Sequence, residues 1–488
     1  NNGMRLFPLL IFSSFFVGNY LRAADQPNLL FIIADDCTFR DIGCYGGQAK
    51  TPNIDRLATQ GMQFSHCFQA APMCSPTRHN LYTGLYPVKS GAYPNHTFVN
   101  KGTKSIAHYL QPLGYRIALS GKTHINPREA FPFEYSSKAN NPDLESVSLL
   151  FKECAENKTP FCLFACSNEP HSPWNKGDSS RYDPKKLKLP PYFVDTPETR
   201  DAFSRYLAEI SYYDWQVGQI LKRLDENDLT KNTLVMVVSE QGSGFPFAKW
   251  TCYESGLQSA MIVRWDGKVS PGSKTSAMVE YVDVLPTFLN VAGGKVTKDL
   301  DGKSFLDVLL GKKNSHKEFV FGEMTTRGIN NGSETFGIRS VRGKRYKYIW
   351  NFTPEIEFKN ACTHSKEFKS WVAKAESGDK DASEKVRRYQ WRPKVEVYDL
   401  KNDPYEWKNL AGNTEIKSIQ SKLDKVLKNW MISQGDKGQE TELAALDRQR
   451  RGKNKKSSQR KKKSCSNRRA RLSTSINVFP YFRNINRP

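Results

Sequence analysis

The chain has 488 residues, 38% hydrophobic and 25% charged, a balance that excludes a disordered or fibrous polymer and leaves room for two or three domains at roughly 100–200 residues each. Its net charge of +23 is concentrated at one end, because from Arg448 onward there are 15 Lys/Arg and no Asp/Glu, which leaves +8 for everything before. Ten cysteines are too sparse for a disulfide scaffold, and no stretch after the first 24 residues is long and apolar enough to span a bilayer.

Met4-Arg5, the apolar run over 6–17 and the small pair Ala23-Ala24 read as a signal peptide, residues 1–24, with Asn1-Asn2-Gly3 upstream of the start. Export follows, to a periplasm, the medium or, in a eukaryote, a lysosome. Export permits some pairing, for instance among Cys154, Cys162 and Cys166. Cys37, Cys44 and Cys67 fit no zinc pattern and read as buried small residues.

Residues 28–34 form a continuous apolar run, the mark of a fully buried parallel strand, and the run stops in Asp35-Asp36. Carboxylates outside the carboxyl end of such a strand are hard-oxygen metal ligands, or else plain turn formers. A helix start at 51–58 and a short strand at 64–68 lead to Cys74-Ser75-Pro76-Thr77-Arg78, where Pro76 suits a first helical turn and Gly84 an end. A cysteine there meets free amides and the positive end of the dipole, with Arg78 one turn on, so it reads as electropositive and reactive. A buried structural cysteine opening an ordinary helix fits the same string.

The pattern of strand followed by chemistry then repeats. Residues 105–113 suit an amphipathic helix, with His108 at its surface, and 114–121 a strand ending in Lys122-Thr123-His124. Residues 161–166 run into Asn168-Glu169-Pro170-His171, after which 200–224 have long helical periodicity. Residues 233–239 are a further buried strand, ending in Glu240-Gln241, with Lys249 eight residues on. Four buried strands that all end in polar groups point to one site.

From about residue 330 the texture changes to half-exposed alternation at 337–342, 346–349 and 394–400, then a closing helix over 414–430. A polar helix over 441–450 leads into a lysine- and arginine-rich tail, read as a solvated segment or as a contact for a polyanion.

With these positions in hand, residues 27–430 resemble the formylglycine sulfatases, of the alkaline phosphatase superfamily. The resemblance rests on Asp35-Asp36, residues 74–84, residues 114–124, Glu169-Pro170-His171, Glu240-Gln241-Gly242 with Lys249, Asp283-Val284-Leu285-Pro286-Thr287, and Tyr398-Asp399-Leu400 with Asn409-Leu410. Residues 191–197, 239–246 and 391–393 are similar to the branch that hydrolyses N-sulfoglucosamine. The resemblance implies an α/β fold, an alkaline-phosphatase-like mixed sheet between helices with a smaller C-terminal α+β domain. It divides the chain into a catalytic domain at 25–330, an antiparallel-sheet subdomain at 331–437 and a basic tail at 438–488.

It further implies that a maturation enzyme oxidises Cys74 to formylglycine, and that Asp35, Asp36, Glu240, Gln241 and the modified Cys74 hold one Ca2+. Gln241 and Glu240 stand where the family more often has Asn and Asp, and Thr77 where it more often has Ser. Lys122 and Lys249 are expected to clamp sulfate, Arg78 to support the nucleophile, His171 to protonate the leaving group, and His124 to orient the diol and take its second proton. The substrate implied is a sulfated saccharide, cut at a sulfate ester or sulfamate. A phosphoester hydrolase on the same scaffold and a non-catalytic sulfated-glycan-binding protein are the rival readings.

Overall fold

The continuous apolar runs become the middle of a sheet. The computed structural model describes residues 26–449, so the signal-peptide segment and the basic stretch from residue 450 lie outside the described residues. The larger sheet is built from β1 (Asn28–Ile33), β2 (Met62–Phe68), β3 (Arg116–Gly121), β4 (Glu134–Tyr135), β5 (Phe161–Cys166), β6 (Thr233–Val238), β7 (Gln258–Arg264), β8 (Ser273–Thr275) and β9 (Val279–Glu280). Their spatial order is β4-β3-β5-β1-β6-β7-β2-β8, with β9 also on β2. All neighbours are parallel except at β7, which runs against both β6 and β2 and makes the sheet mixed.

Every residue of β1, β5 and β6 is buried. Side chains alternate between faces, so Leu30 and Ile32 enter one core while Leu29, Phe31 and Ile33 enter the other. Helices Pro52–Gln60, Leu144–Asn157 and Pro197–Glu226 close the first core, and Cys74–Thr83 and Val284–Val291 close the second. At about 1.5–3 kcal/mol for each fully buried Leu, Ile or Phe side chain, this double burial makes the central strands the rigid part of the molecule.

The smaller sheet is antiparallel: β10 (Val320–Thr325), β11 (Gly337–Arg342), β12 (Tyr346–Asn351) and β13 (Val395–Asp399), in that order. It begins with Val320, earlier than the alternation suggested, because β10 has a polar-looking sequence whose burial depends on β11. Helix Lys417–Gln434 covers it with Leu423, Leu427, Trp430 and Met431. Buried ion pairs join the two sheets: Glu254 meets Arg342 at 3.1 Å and Lys347 at 2.9 Å, and Lys347 also meets Glu406 at 3.1 Å.

Two local expectations differ from the structure. All nine described cysteines are free thiols; Cys162 and Cys166 are four residues apart on one strand and enter the core on one face of the sheet, while Cys154 enters the other core. The segment from residue 438 does not leave the body at once; it forms helix Gln439–Leu443 and a short turn, Ala445–Arg448, and stays packed through Gln449. Glu442 is fully buried and accepts from the backbone N–H of Thr326 (3.0 Å) and Arg327 (3.1 Å), while Tyr93 donates to the Thr441 carbonyl at 2.9 Å. These partners lie over a hundred residues away, so composition carried no sign of them.

A chain ending at Lys437 is therefore expected to melt at a lower temperature than one ending at Gln449, since it leaves the Thr326 and Arg327 amides without their acceptor. Circular dichroism of both truncations measures the difference.

Candidate active site

β1, β3, β5 and β6 are parallel and end at one edge of the large sheet, so the groups that follow them converge there. Asp35 and Asp36 leave β1, Lys122 and His124 leave β3, His171 follows β5, and Glu240 and Gln241 follow β6. Asp36, His124 and Glu240 have φ of 60°, 50° and 71°. Left-handed backbone costs an L-residue roughly 1–2 kcal/mol. Its recurrence in three of these side-chain donors shows that the surrounding packing dictates where they point.

Cys74 is the first residue of helix Cys74–Thr83, which ends on Gly84 in the left-handed region. Two hydroxyls fix its entry: Ser75 donates to the His124 carbonyl at 3.1 Å, and Thr77 to the Ala71 carbonyl at 2.7 Å. The expectation of a reactive thiol is corrected, while the cations around it remain. Cys74 is 3% exposed, and burial pushes its thiol up to about 12 even though Lys249 pulls the other way. At neutral pH it is therefore almost wholly the neutral thiol, the weaker nucleophile. Arg78, fully buried, is paired with Glu240 at 3.0 Å rather than bound to the sulfur, since a desolvated carboxylate attracts it more strongly than a neutral thiol.

Three carboxylates and three cations meet here. Oxygens of Asp35, Asp36 and Glu240 lie within 4.8 Å of one another. Lys249 donates to Asp36 at 2.6 Å, Gln241 donates to the other Asp36 oxygen at 2.7 Å, and Lys122 is paired with Asp35. Lys249 is 4% exposed, so it is a buried lysine rather than a surface one. Burial works to raise Asp36, but Lys249 and His171 prevail and hold it below its usual range. For Glu240 burial prevails over Arg78 and Lys122, and its carboxyl is raised. Burial also draws Lys122 down to about 7, against the pull of Glu240.

Both oxygens of Asp35, both of Glu240 and Oε1 of Gln241 accept no hydrogen bond despite complete burial. Buried carboxylate oxygens left so are costly unless a further positive charge joins them. The donor set is oxygen only and close-packed, which fits a hard divalent cation with a flexible shell. Cys74 is not among the clustered ligand atoms; its sulfur lies 4.0 Å from Asn95 Oδ1.

A family model described as Sulfatase matches residues 27–294, and an Ulvan-active sulfatase of Formosa agariphila is 34% identical over 426 residues, spanning 85% of this chain and 81% of that protein. The chain belongs to the sulfatase family. A second family model, N-sulphoglucosamine sulphohydrolase, C-terminal, matches residues 242–387 of this sulfatase. The human N-sulphoglucosamine sulphohydrolase is 25% identical over 464 residues, 83% of the chain and 90% of the relative. A protein solved in complex with its substrate D-glucosamine-2-N,6-O-disulfate superposes with a TM-score of 0.65 at 19% identity, over 85% of this chain and 99% of that one. The alkaline-phosphatase-like fold is shared. Sulfatases generally work with a formylglycine and a divalent metal.

In this sulfatase Asp36 lines a cavity of about 1140 Å³, while Asp35, Glu240 and Gln241 are fully buried and do not. Cys74, Lys122, His124, His171 and Lys249 all line it. His171 Nδ1 is 2.6 Å from the Ser172 carbonyl, so this nitrogen carries the proton and Nε2, 3.6 Å from Asp36, faces the cavity. Asp36 pulls His171 upward, but burial and the two lysines together set it at about 4. His124 is held well below its usual value by burial and by Lys122, and its Nδ1 is buried without a partner.

Sequence reasoning gave His96 no role, yet its Nδ1 is 3.0 Å from His124 Nε2 and it lines the same cavity. It lies in an aperiodic loop, and only the pairing with His124 reveals it. His79 was left unassigned as well. It is fully buried between the Ser75 carbonyl (2.7 Å) and the Asn126 backbone and supports the helix rather than the chemistry.

Adding a divalent cation to metal-stripped protein is expected to raise its melting temperature by a few degrees, about the effect of saturating one site at a hundredfold its Kd. Asp35→Asn and Glu240→Gln should each abolish most of that rise. Differential scanning calorimetry with and without chelator measures it.

Proposed function

We propose that this sulfatase removes sulfate from a sulfated polysaccharide, with Cys74 as the residue matured to formylglycine and Asp35, Asp36, Glu240 and Gln241 as the holders of a divalent cation, taken as calcium. The observation that carries the reading is Cys74 at a helix N-terminus, lining one cavity with Lys122, Lys249 and Asp36, the last of which belongs to a close-packed carboxylate cluster whose other oxygens accept no hydrogen bond. The relatives active on ulvan and on N-sulfoglucosamine support the polysaccharide class. The second family match favours an N-sulfated amino sugar as the alternative substrate. Export agrees with such a substrate, and among the described residues no helix is long and apolar enough to cross a membrane.

A bound divalent cation supplies Lewis acidity toward oxygens on sulfur, and a hydrated aldehyde supplies a hydroxyl nucleophile together with a second hydroxyl whose deprotonation lets sulfate leave. The chain's own groups do the rest. Lys122 and Lys249 exchange their carboxylate partners for sulfate oxygens and hold the anion in line with the residue at 74. Arg78 holds Glu240 in place through its 3.0 Å pair and offsets part of the burial that raises its carboxyl. His124 is neutral at neutral pH, so its free Nδ1 is able to accept a proton. His171 is neutral too until an anion arrives; negative charge beside Nε2 raises its proton affinity, and the imidazolium then donates to the departing oxygen or nitrogen.

Cys74→Ala should fold normally and release no sulfate from ulvan oligosaccharides, N-sulfoglucosamine or an aryl sulfate. Peptide mass spectrometry of active wild-type protein should find an aldehyde at position 74. A turnover-competent Cys74→Ala protein, or an intact thiol in fully active material, would sink the reading. Faster turnover of aryl phosphate than of aryl sulfate would favour the phosphoester hydrolase instead.

His171→Ala should slow release from a sugar by about 10²–10⁴-fold, the usual span for a general acid. It should slow an aryl sulfate, whose leaving group needs no proton, far less. Because the donor is the protonated ring, wild-type turnover of the sugar should fall as pH rises through the pKa of His171 in the complex. The variant should lack that limb in a kcat–pH profile.

A further inference from the structure

The edge of the large sheet opposite the candidate active site carries a second polar groove. Because β7 runs against its neighbours, its last residue, Arg264, pairs with Val235 near the start of β6, whereas the candidate catalytic groups follow the end of β6. Helix Pro52–Gln60 and the later part of helix Pro197–Glu226 border a groove there of about 760 Å³. The seam between these helices is tight. A Cβ on Gly218 would lie 2.6 Å from the Asn53 side chain, so only glycine lets them approach this closely. Asp214 of the long helix caps the shorter one, accepting from the Ile54 N–H at 2.8 Å and the Asn53 N–H at 3.3 Å.

The groove holds guanidiniums that the fold does not fully compensate. Arg264 is 8% exposed, its Nε has no hydrogen-bond partner, and its Nη1 donates to Gln60 at 3.3 Å. Asp266 stands 3.7 Å from Nε, too far for a hydrogen bond. Burial lowers the pKa of Arg264, and Arg56 adds to that as a like charge, against Asp266 and Asp225. Arg56 itself is exposed and reaches Asn53 Oδ1 at only 3.4 Å. Beside them Trp215 is 45% exposed and stacked on Tyr212 at 5.4 Å, so a large rigid ring is kept in solvent.

An indole held in water next to under-compensated guanidiniums matches one ligand chemistry: a sugar ring against the aromatic face, with sulfate oxygens on the arginines. Asp225 and Asp266 stand in the same wall, so the positive charge open to an anion lies on Arg56, Lys222 and Arg264.

We propose that this groove is a second, non-catalytic binding site for a sulfated polysaccharide chain, formed by Arg56, Arg264 and Trp215. The proposal rests on the reading of the substrate as a sulfated saccharide. A polymer held at this edge keeps its sulfated repeats at high local concentration around the enzyme.

The test is affinity electrophoresis of the full-length protein through gels containing ulvan, heparin or desulfated ulvan. It compares wild type with the double variant Arg56→Gln/Trp215→Ala, whose two positions are solvent-exposed; melting temperature confirms that both proteins are folded. The variant should bind the sulfated polymers about tenfold more weakly, and the desulfated polymer should retard neither protein appreciably. Unchanged affinity for ulvan and heparin overturns the proposal. So does an equal loss on the desulfated polymer, or a shift of the variant's self-association in analytical ultracentrifugation, which would make the patch an interface between copies. Retardation is measured apart from sulfate release. Wild-type protein that releases sulfate from neither polymer would overturn the substrate reading, while a loss of retardation in the variant would still place a polyanion in the groove.

Discussion

The site depends on a balance of buried charge. Asp35, Asp36 and Glu240 are taken out of water by strands that are apolar along their whole length, and Arg78, Lys122 and Lys249 are taken out with them. Neither set is affordable alone, because an isolated ion in such an interior costs several kcal/mol even after relaxation. Together they are tolerable, and still imperfect: five oxygen atoms of Asp35, Glu240 and Gln241 remain without a hydrogen bond. The fold thus holds a standing demand for positive charge, and its lysines are free to change partners when one arrives.

Much of this was legible in the sequence because the signal was one-dimensional. An apolar run that stops in two carboxylates says both that a strand is central and that its end is wet. Lys122, His171 and Glu240 were found the same way. Cys74 was located by its string, but the string left a reactive and a buried cysteine equally open, because nothing local says that other elements bury it to 3%. The partner of Arg78 was misread for the same reason, since Glu240 lies 162 residues away in sequence and 3.0 Å away in space.

The role of His96 was not legible, and the helical reading of 441–450 met a helix at 439–443 but gave no sign of where it packs. The physical reason is shared: each is held by long-range hydrogen bonds, of which neither hydrophobic spacing nor turn chemistry leaves a trace. Gln449 donates to the Asn95 carbonyl at 2.7 Å and to Gly328 at 3.1 Å, and Arg448 donates to the Gly91 carbonyl at 2.8 Å. The last described residues therefore hold the loop that carries Asn95 and His96 over Cys74.

That strap has a bearing on timing. On the proposed maturation, an enzyme that oxidised Cys74 would need access to a side chain the finished fold encloses, so modification and folding would compete for the same polypeptide. Residue 449 is synthesised 375 positions after residue 74, an interval of roughly 20–75 s at about 5–20 residues per second. Until then the loop over the cysteine lacks its final tether, and the late arrival of the C-terminal end keeps a window open for chemistry on a nascent chain that will later shut.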